Sequence, residues 1–146
     1  MSFEMFVEGI PVPQGSKSLS RTGVMYEANK ALKPWRLKVA AAALWAVGPD
    51  VRFMEGPLAL AVAFGMPRPK TVKREHPSVK PDLDKLVRAI SDSLTGIVYK
   101  DDAQIVCLDV IEIYGLIYGA RIFVHPATEV DILTHWLQRN KERANS

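Results

Sequence analysis

A two-layer α/β (α+β) fold is predicted by this sequence, with a single mixed sheet of about four strands and helices packed on it. Segments that alternate apolar and polar residues, or are apolar throughout, are separated by segments with apolar residues at helical spacing. The order of these segments is roughly β-α-β-α-β-β-α. The chain has 146 residues, 48% hydrophobic and 24% charged, so one domain spanning residues 1–146 is expected.

The first half of the chain contains two predicted strands and one predicted helix. Phe3–Ile10 alternates loosely between apolar and polar residues, which predicts a first strand. Asn29 can cap a helix over Lys30–Val47, and Gly48 follows as a stop signal. Pro57–Met66 is apolar on both faces, which predicts a second strand in the middle of the sheet.

The second half contains two predicted helices that flank two strands. Asp82 is a suitable cap for a helix whose apolar residues recur at helical spacing. That apolar stripe consists of Leu83, Leu86, Val87, Ile90 and Leu94. Ile105–Tyr114 is a third strand, and Ile117–Val124 follows Gly115 as a fourth, most simply its hairpin partner. Glu129–Arg143 is predicted to form a final helix.

Positive charge is concentrated in two segments, Val12–Lys38 and Pro67–Lys80. Together they hold 11 of the 19 Lys and Arg residues and 2 of the 16 Asp and Glu residues. Since the whole chain has a net charge of +3, these segments carry +9 and the remainder carries −6. Such a distribution predicts an anionic partner, and nucleic acid has the phosphate density that suits it.

Composition also excludes several classes of protein. Cys107 is the one cysteine, so no intrachain disulfide can form and a reducing environment is expected. The N-terminus lacks the basic region and apolar core of a signal peptide, which favours a cytoplasmic location. The apolar run Val39–Val47 is too short to span a membrane, so no membrane partner is expected. The histidines are scattered and form no zinc pattern.

Two pairs of aspartates are the most informative motif. Asp82 and Asp84 lie at the start of the second predicted helix, and Asp101 and Asp102 precede the third strand. Carboxylates from different elements are the ligands that Mg²⁺ or Mn²⁺ prefers, and a metal-dependent nuclease needs them beside a basic surface. The pairs meet only if the connection 95–100 crosses back along the helix. The alternative is that Asp82 and Asp84 only cap the helix and complement its dipole, while Asp101 and Asp102 belong to a solvated loop.

The sequence around these aspartates resembles the core of the RusA-type Holliday-junction resolvases, small endodeoxyribonucleases often found in phages and prophages. The segments that carry the resemblance are Pro81–Leu86 (PDLDKL), Asp92–Leu94 (DSL) and Gly96–Val106 (GIVYKDDAQIV). The Pro-rich, basic stretch Ile10–Lys17 is similar to that family's first loop. The resemblance extends from Phe3 to about Val124 and so covers most of the chain.

The resemblance implies a symmetric homodimer that binds a four-way DNA junction and nicks two strands with Mg²⁺, in DNA recombination and repair in a bacterial or phage-infected cell. The family's essential acids fall on Asp82, Asp84 and Asp102, with Asp101 adjacent as a supporting metal ligand. The family's helical lysine aligns with Arg88, where this chain departs from the pattern. A guanidinium can still stabilise charge on a phosphate, but it is rarely deprotonated, so a proton-donating role does not carry over. The alternative role for Arg88 is a surface ion pair.

The basic loops are predicted to hold DNA by its phosphates, which positions a strand without reading its sequence. The residues expected to do this are Lys17, Arg21, Arg68, Lys70, Lys73, Arg74 and Lys80. The alternative is that these loops are merely solvated. Two other functions stay open: a non-catalytic DNA-binding protein with the same fold, and a metal nuclease for other branched DNA. Cleavage of linear, forked and four-way substrates distinguishes them.

Overall fold

The computed structural model describes residues 1–15, 21–23, 29–50, 52–128, 138 and 140–145, with the strand backbone at 17–19 and 25–27. The elements are, in order, β1 (Phe3–Glu8), β2 (Lys17–Leu19), β3 (Met25–Glu27), α1 (Leu32–Val47), β4 (Leu58–Met66), α2 (Leu83–Leu94), β5 (Ile105–Tyr114) and β6 (Gly119–Pro126). A 3₁₀ turn, Asp102–Gln104, precedes β5. Most of the predicted final helix, Glu129–Arg143, lies outside the described residues; the parts of it that are described, 138 and 140–143, are helical.

Four of the strands form one mixed sheet in the order β1-β6-β4-β5, and β2 pairs with β3 separately. β4 and β5 are parallel, whereas β6 is antiparallel to both β4 and β1. The predicted fold class and the central position of β4 are thereby confirmed. Since β4, α2 and β5 form a parallel crossover, α2 runs back along the sheet, antiparallel to β5.

The predicted hairpin between β5 and β6 is wrong, because β4 lies between these two strands. A strand that is apolar on both faces favours an interior position with a neighbour at each edge, and β5 and β6 supply both neighbours. The short connection 115–118 therefore crosses the end of β4. There the carbonyl of Ile117 lies against Gly65, in the space that a side chain would need.

Gly65→Ala is expected to destabilise the fold through this contact. The added methyl group meets the Ile117 backbone carbonyl, which cannot rotate away as a side chain can. Overpacking of this kind costs about 1–3 kcal/mol in the free energy of unfolding, which urea denaturation measures. Ala63→Ser, two residues earlier on the same side of β4, is the control and should change stability by less than about 1 kcal/mol. Equal stability of the Gly65→Ala variant and the wild type would contradict the crossing.

The helices pack on one face of the sheet and bury a hydrophobic core between the two layers. Alternate residues of β4 point into this core, and Leu58 and Phe64 have no exposed surface. From α2 the core receives three residues of the predicted stripe, Leu86, Ile90 and Leu94, which are also fully buried. α1 packs on α2 and on β1. The core therefore fixes the position of α2 on the sheet, and with it the position of the acidic motif.

The start of α1 differs from the prediction, and its end is marked by a glycine. Asn29 Oδ1 accepts a hydrogen bond from Ala31 N at 3.0 Å in the turn before the helix. The N-cap is Ala31, which makes no side-chain cap hydrogen bond, so α1 begins at Leu32 rather than Lys30 and Asn29 is not its cap. Gly48 ends α1 with a φ of 77°, a positive value that glycine adopts readily because it has no Cβ. Among the described residues, no helix is long and apolar enough to span a membrane.

Candidate active site

Asp82 stands at the N-cap position of α2, shortly after the segment Pro67–Lys80, which we call the basic loop. Its backbone is extended, with φ −71° and ψ 137°, but its side chain makes no capping hydrogen bond. Its Oδ2 atom lies 3.7 Å from Lys85 Nζ, and since both side chains are about half exposed, this ion pair contributes little stability. The Asp82 carboxylate is therefore available to a ligand.

Glu112 on β5 is a candidate site residue that the sequence analysis missed. It lies between Val110 and Tyr114 on the same side of β5, and both of these residues pack against the core. The Oε1 atom of Glu112 is buried and has no hydrogen-bond partner among the described residues. Burial, and then the negative charge of Asp82, raise the pKa of Glu112. The sequence signal was a glutamate in phase with the core-facing residues of a strand, where an acid is rarely placed without a role.

Asp82 and Glu112 line one cavity of about 610 Å³. Its polar lining consists of Gln14, Asn29, Arg74, Lys80, Asp82, Lys85, Glu112 and Tyr114. The Gln14 Oε1 atom is also buried without a hydrogen-bond partner in the described chain, while Gln14 N donates to the Lys85 carbonyl at 2.9 Å. Buried acceptors without donors are rare, because each has lost its hydration. Two such oxygens belong to residues that line the same cavity as Asp82, and oxygen atoms are the ligands that Mg²⁺ prefers.

The second acidic pair divides into a capping residue and an exposed carboxylate. Asp101 Oδ1 accepts a hydrogen bond from Ala103 N at 2.9 Å, and Asp101 N donates to Gln104 Oε1 at 3.1 Å. These two bonds form a capping box on the 3₁₀ turn. Asp102 is exposed, and its side chain makes no hydrogen bond or ion pair with the residues that the structure describes.

Tyr99 connects the segment before Asp102 to α2. The Tyr99 hydroxyl donates to the Ser91 carbonyl at 2.8 Å. Burial first, and then the charge of Asp102, raise the pKa of this hydroxyl. Ser91 follows Asp82 by nine residues, which is about 13 Å along α2, and the 3₁₀ turn that begins at Asp102 also contacts this helix. The described residues contain no group of three or more His, Cys, Asp or Glu placed to hold one metal ion.

Asp84 and Arg88 are exposed and lie one turn apart on α2. Neither forms an ion pair with any residue in the described ranges. The alternative role for Arg88, a surface ion pair, is therefore not observed among the described residues. Both charges remain accessible to a ligand on the outer side of α2.

Comparison with known proteins decides the family. Residues 8–125 match the family model described as Endodeoxyribonuclease RusA. The chain belongs to the RusA family. A protein of Bacillus subtilis (strain 168), described as "Uncharacterized protein YqaN", is 31% identical over 122 residues, which cover 75% of this chain and 85% of YqaN. The RusA match includes α2, the 3₁₀ turn and the cavity, so the family predicted from the aspartate motif is confirmed.

The basic loop brings cations to the cavity of this RusA-family protein. The predicted DNA-binding side chains of the loop are all exposed: Arg68, Lys70, Lys73, Arg74 and Lys80. Of these, Arg74 and Lys80 also line the cavity that contains Asp82. Arg21 is exposed as well, whereas the Lys17 side chain lies outside the described residues. The structure thus brings part of the predicted basic surface together with Asp82.

Glu112 makes the stability of the metal-free protein depend on pH. Its folded-state pKa is raised above the ordinary value of 4.5, so folding favours the protonated carboxyl. The stability that Glu112 contributes is fully present below pH 4.5 and is lost as the pH rises through the raised pKa. Glu112→Gln should therefore be more stable than the wild type at pH 7, with a gap that closes towards pH 4. Melting temperatures measured across this range in EDTA test it, and parallel curves for the two proteins would contradict it.

Proposed function

We propose that the protein is a Mg²⁺-dependent endodeoxyribonuclease that resolves four-way DNA junctions by paired symmetric nicks, with Mn²⁺ as a substitute for Mg²⁺. The observation that supports this proposal is the shared cavity: the carboxylates of Asp82 and Glu112 lie beside the cations Arg74, Lys80 and Lys85. Carboxylates can hold a divalent ion, and adjacent cations can hold the phosphate on which it acts. The family supports the endodeoxyribonuclease class.

The residues proposed to hold the metal are Asp82, Asp84 and Asp102, with Asp101 in support. Mg²⁺ supplies charge neutralisation at the scissile phosphate and lowers the pKa of a coordinated water. Asp82 fits this role because its carboxylate does not cap α2. A helix N-terminus repels a cation, so Asp82 needs further oxygens, and those of Glu112 and Gln14 line the same cavity. Asp102 would join them through movement of the 3₁₀ turn or from a second subunit.

The other proposed roles belong to cations. Arg88, which is exposed on α2, would stabilise negative charge on the phosphate that is attacked. Lys80 would orient that phosphate at the cavity, while Arg74, the remaining basic side chains of the loop, Lys17 and Arg21 would hold other phosphates of the junction. Such contacts make binding strongly dependent on salt, with a log-log slope near −0.9 for each phosphate neutralised on duplex DNA.

A homodimer follows from the proposed substrate. A four-way junction has near two-fold symmetry, and two opposed cuts require two active sites. Each subunit would place its cavity against one of the two strands that are cut. Analytical ultracentrifugation with and without a junction measures this directly. A protein that stays monomeric on the junction would contradict paired cutting.

The test of the proposal is cleavage of labelled four-way, forked and linear DNA in Mg²⁺, Mn²⁺ and EDTA. We expect paired, symmetric nicks in the four-way junction with Mg²⁺, and no cleavage in EDTA. Preferential cleavage of forks or linear duplex would instead assign the protein to nucleases for other DNA. Intact substrates under every metal condition would contradict the nuclease proposal.

A non-catalytic DNA-binding protein is the second candidate function. One observation favours it: within the described residues, three carboxylates do not come together at a single point. This candidate predicts tight, salt-sensitive DNA binding without cleavage and without an effect of Mg²⁺ on affinity. The same cleavage assay, accompanied by binding measurements in EDTA and in Mg²⁺, distinguishes it from the nuclease.

A further inference from the structure

Two arginines of the basic loop are held against a single aromatic ring, that of Tyr114 at the end of β5. Arg74 Nε donates a hydrogen bond to the Tyr114 hydroxyl at 2.9 Å, and its guanidinium carbon lies 5.9 Å from the ring centroid. The guanidinium carbon of Arg68 lies 4.9 Å from the same centroid. Arg68 Nη2 also donates to the Glu75 carbonyl at 3.1 Å, which ties it back to its own loop. The Arg68 cation is attracted by the quadrupole of the ring, whereas Arg74 is held by its hydrogen bond to the hydroxyl.

This arrangement leaves two positive charges close together. Neither Arg68 nor Arg74 forms an ion pair with a carboxylate in the part of the chain that the structure describes. Like charges on one ring repel each other, and a bound anion would relieve that repulsion. Arg74 uses its Nε–H on Tyr114, which leaves the donors on its terminal nitrogens for a ligand. The two side chains are thus fixed by neutral groups while their charge stays unsatisfied.

We propose that Tyr114 holds Arg68 and Arg74 as a preformed binding site for one backbone phosphate of DNA, beside the cavity of Asp82 and Glu112. The inference rests on the proposed nuclease function and adds a positioning residue to it. The planar guanidinium matches the two non-bridging oxygens of a phosphodiester, and its hydrogen bonds to phosphate are charge-assisted. Side chains that are ordered before binding lose less entropy when the phosphate arrives. Tyr114 itself acts through the arginines.

The position of the Tyr114 ring places this phosphate site next to the cavity. Tyr114 pairs with Met66, the last residue of β4, so the ring sits where the basic loop leaves the sheet. Arg74 lines the cavity, whereas Arg68 lies outside its lining. A phosphate held between the two arginines would therefore lie at the edge of the cavity that contains the carboxylates of Asp82 and Glu112. The bound strand would enter the cavity across Tyr114.

The test is DNA affinity in EDTA, where no cutting interferes, measured by fluorescence anisotropy with a labelled four-way junction. Tyr114→Leu removes both the ring and the hydroxyl, and we expect about 5- to 10-fold weaker binding from the lost ordering of two side chains. Tyr114→Phe keeps the ring and loses only the bond to Arg74, so we expect a loss of about 2- to 3-fold. Tyr118→Leu, in the neighbouring turn and outside the cavity lining, is the matched control and should bind as the wild type does.

A double-mutant cycle separates positioning from a merely structural role. Arg74→Gln should weaken binding clearly in the wild type but much less in the Tyr114→Leu background, because the arginine is no longer held there. An equal effect of Arg74→Gln in both backgrounds would overturn the inference, as would wild-type affinity of Tyr114→Leu. If Tyr114→Leu does not fold, the same cycle with Tyr114→Phe decides. The binding assay contains no metal, so it does not depend on cleavage. Absence of coupling between Tyr114 and Arg74 would therefore leave the nuclease proposal intact. Absence of cleavage in Mg²⁺ would not change the outcome expected of the binding assay.

Discussion

Asp82→Asn should abolish detectable cleavage of a four-way junction while leaving DNA binding in place. The amide has the shape of the carboxylate but not its charge, so the protein loses a ligand that a divalent ion requires. Metal-assisted charge stabilisation is worth several kcal/mol, so the rate at saturating DNA should fall by about 10²–10⁴-fold. Affinity in EDTA should stay equal or rise slightly, because a negative charge beside the phosphate has been removed. Single-turnover cleavage and anisotropy measure the two quantities.

The matched control for Asp82→Asn is Asp109→Asn on β5. Asp109 is exposed, and the strand alternation places it on the side opposite Glu112, so the same change of charge should leave the rate unaffected. Asp84→Asn and Asp102→Asn extend the series to the other acids of the motif. An unchanged rate in Asp82→Asn would remove the central residue of the proposal. An unchanged rate in Asp102→Asn would restrict the site to the cavity at the start of α2.

Phe64→Ala should cause the largest loss of stability among single substitutions in the sheet. Phe64 lies in the central strand and has no exposed surface, so its removal forfeits burial and leaves a cavity between the layers. The expected loss in the free energy of unfolding is about 3–5 kcal/mol, measured by urea denaturation. Phe123→Ala is the control, because that ring on β6 is 37% exposed, and it should cost less than about 2 kcal/mol. Similar losses in the two variants would contradict the assigned core face.

Local patterns predicted the elements of the fold well. β4 reads as an interior strand because it is apolar on both faces, and the stripe of α2 places Leu86, Ile90 and Leu94 in the core. The pairing of β6 with β1 was not predictable in the same way. It joins residues such as Phe3 and Val124 that are far apart in sequence, and periodicity contains no information about such partners.

The candidate site was predicted in part. The motif identified Asp82 as a candidate metal ligand, but sequence spacing could not show that its side chain leaves the helix cap unused. Asp101 and Asp102 look equivalent in sequence, and only the capping box distinguishes them. Glu112 was missed because its relevance depends on the proximity of Asp82, which the packing of α2 on β5 creates.

The position of β6 between β1 and β4 has a consequence for biosynthesis. The last strand of the sheet to leave the ribosome must join the first, Phe3–Glu8, to the middle of the chain. Until Gly119–Pro126 has been synthesised, β1 and β4 lack the strand that pairs with both of them, and their apolar surfaces are exposed to chaperones. Formation of the complete four-stranded sheet is therefore expected to await this strand, and to be slow relative to the folding of proteins with local contacts.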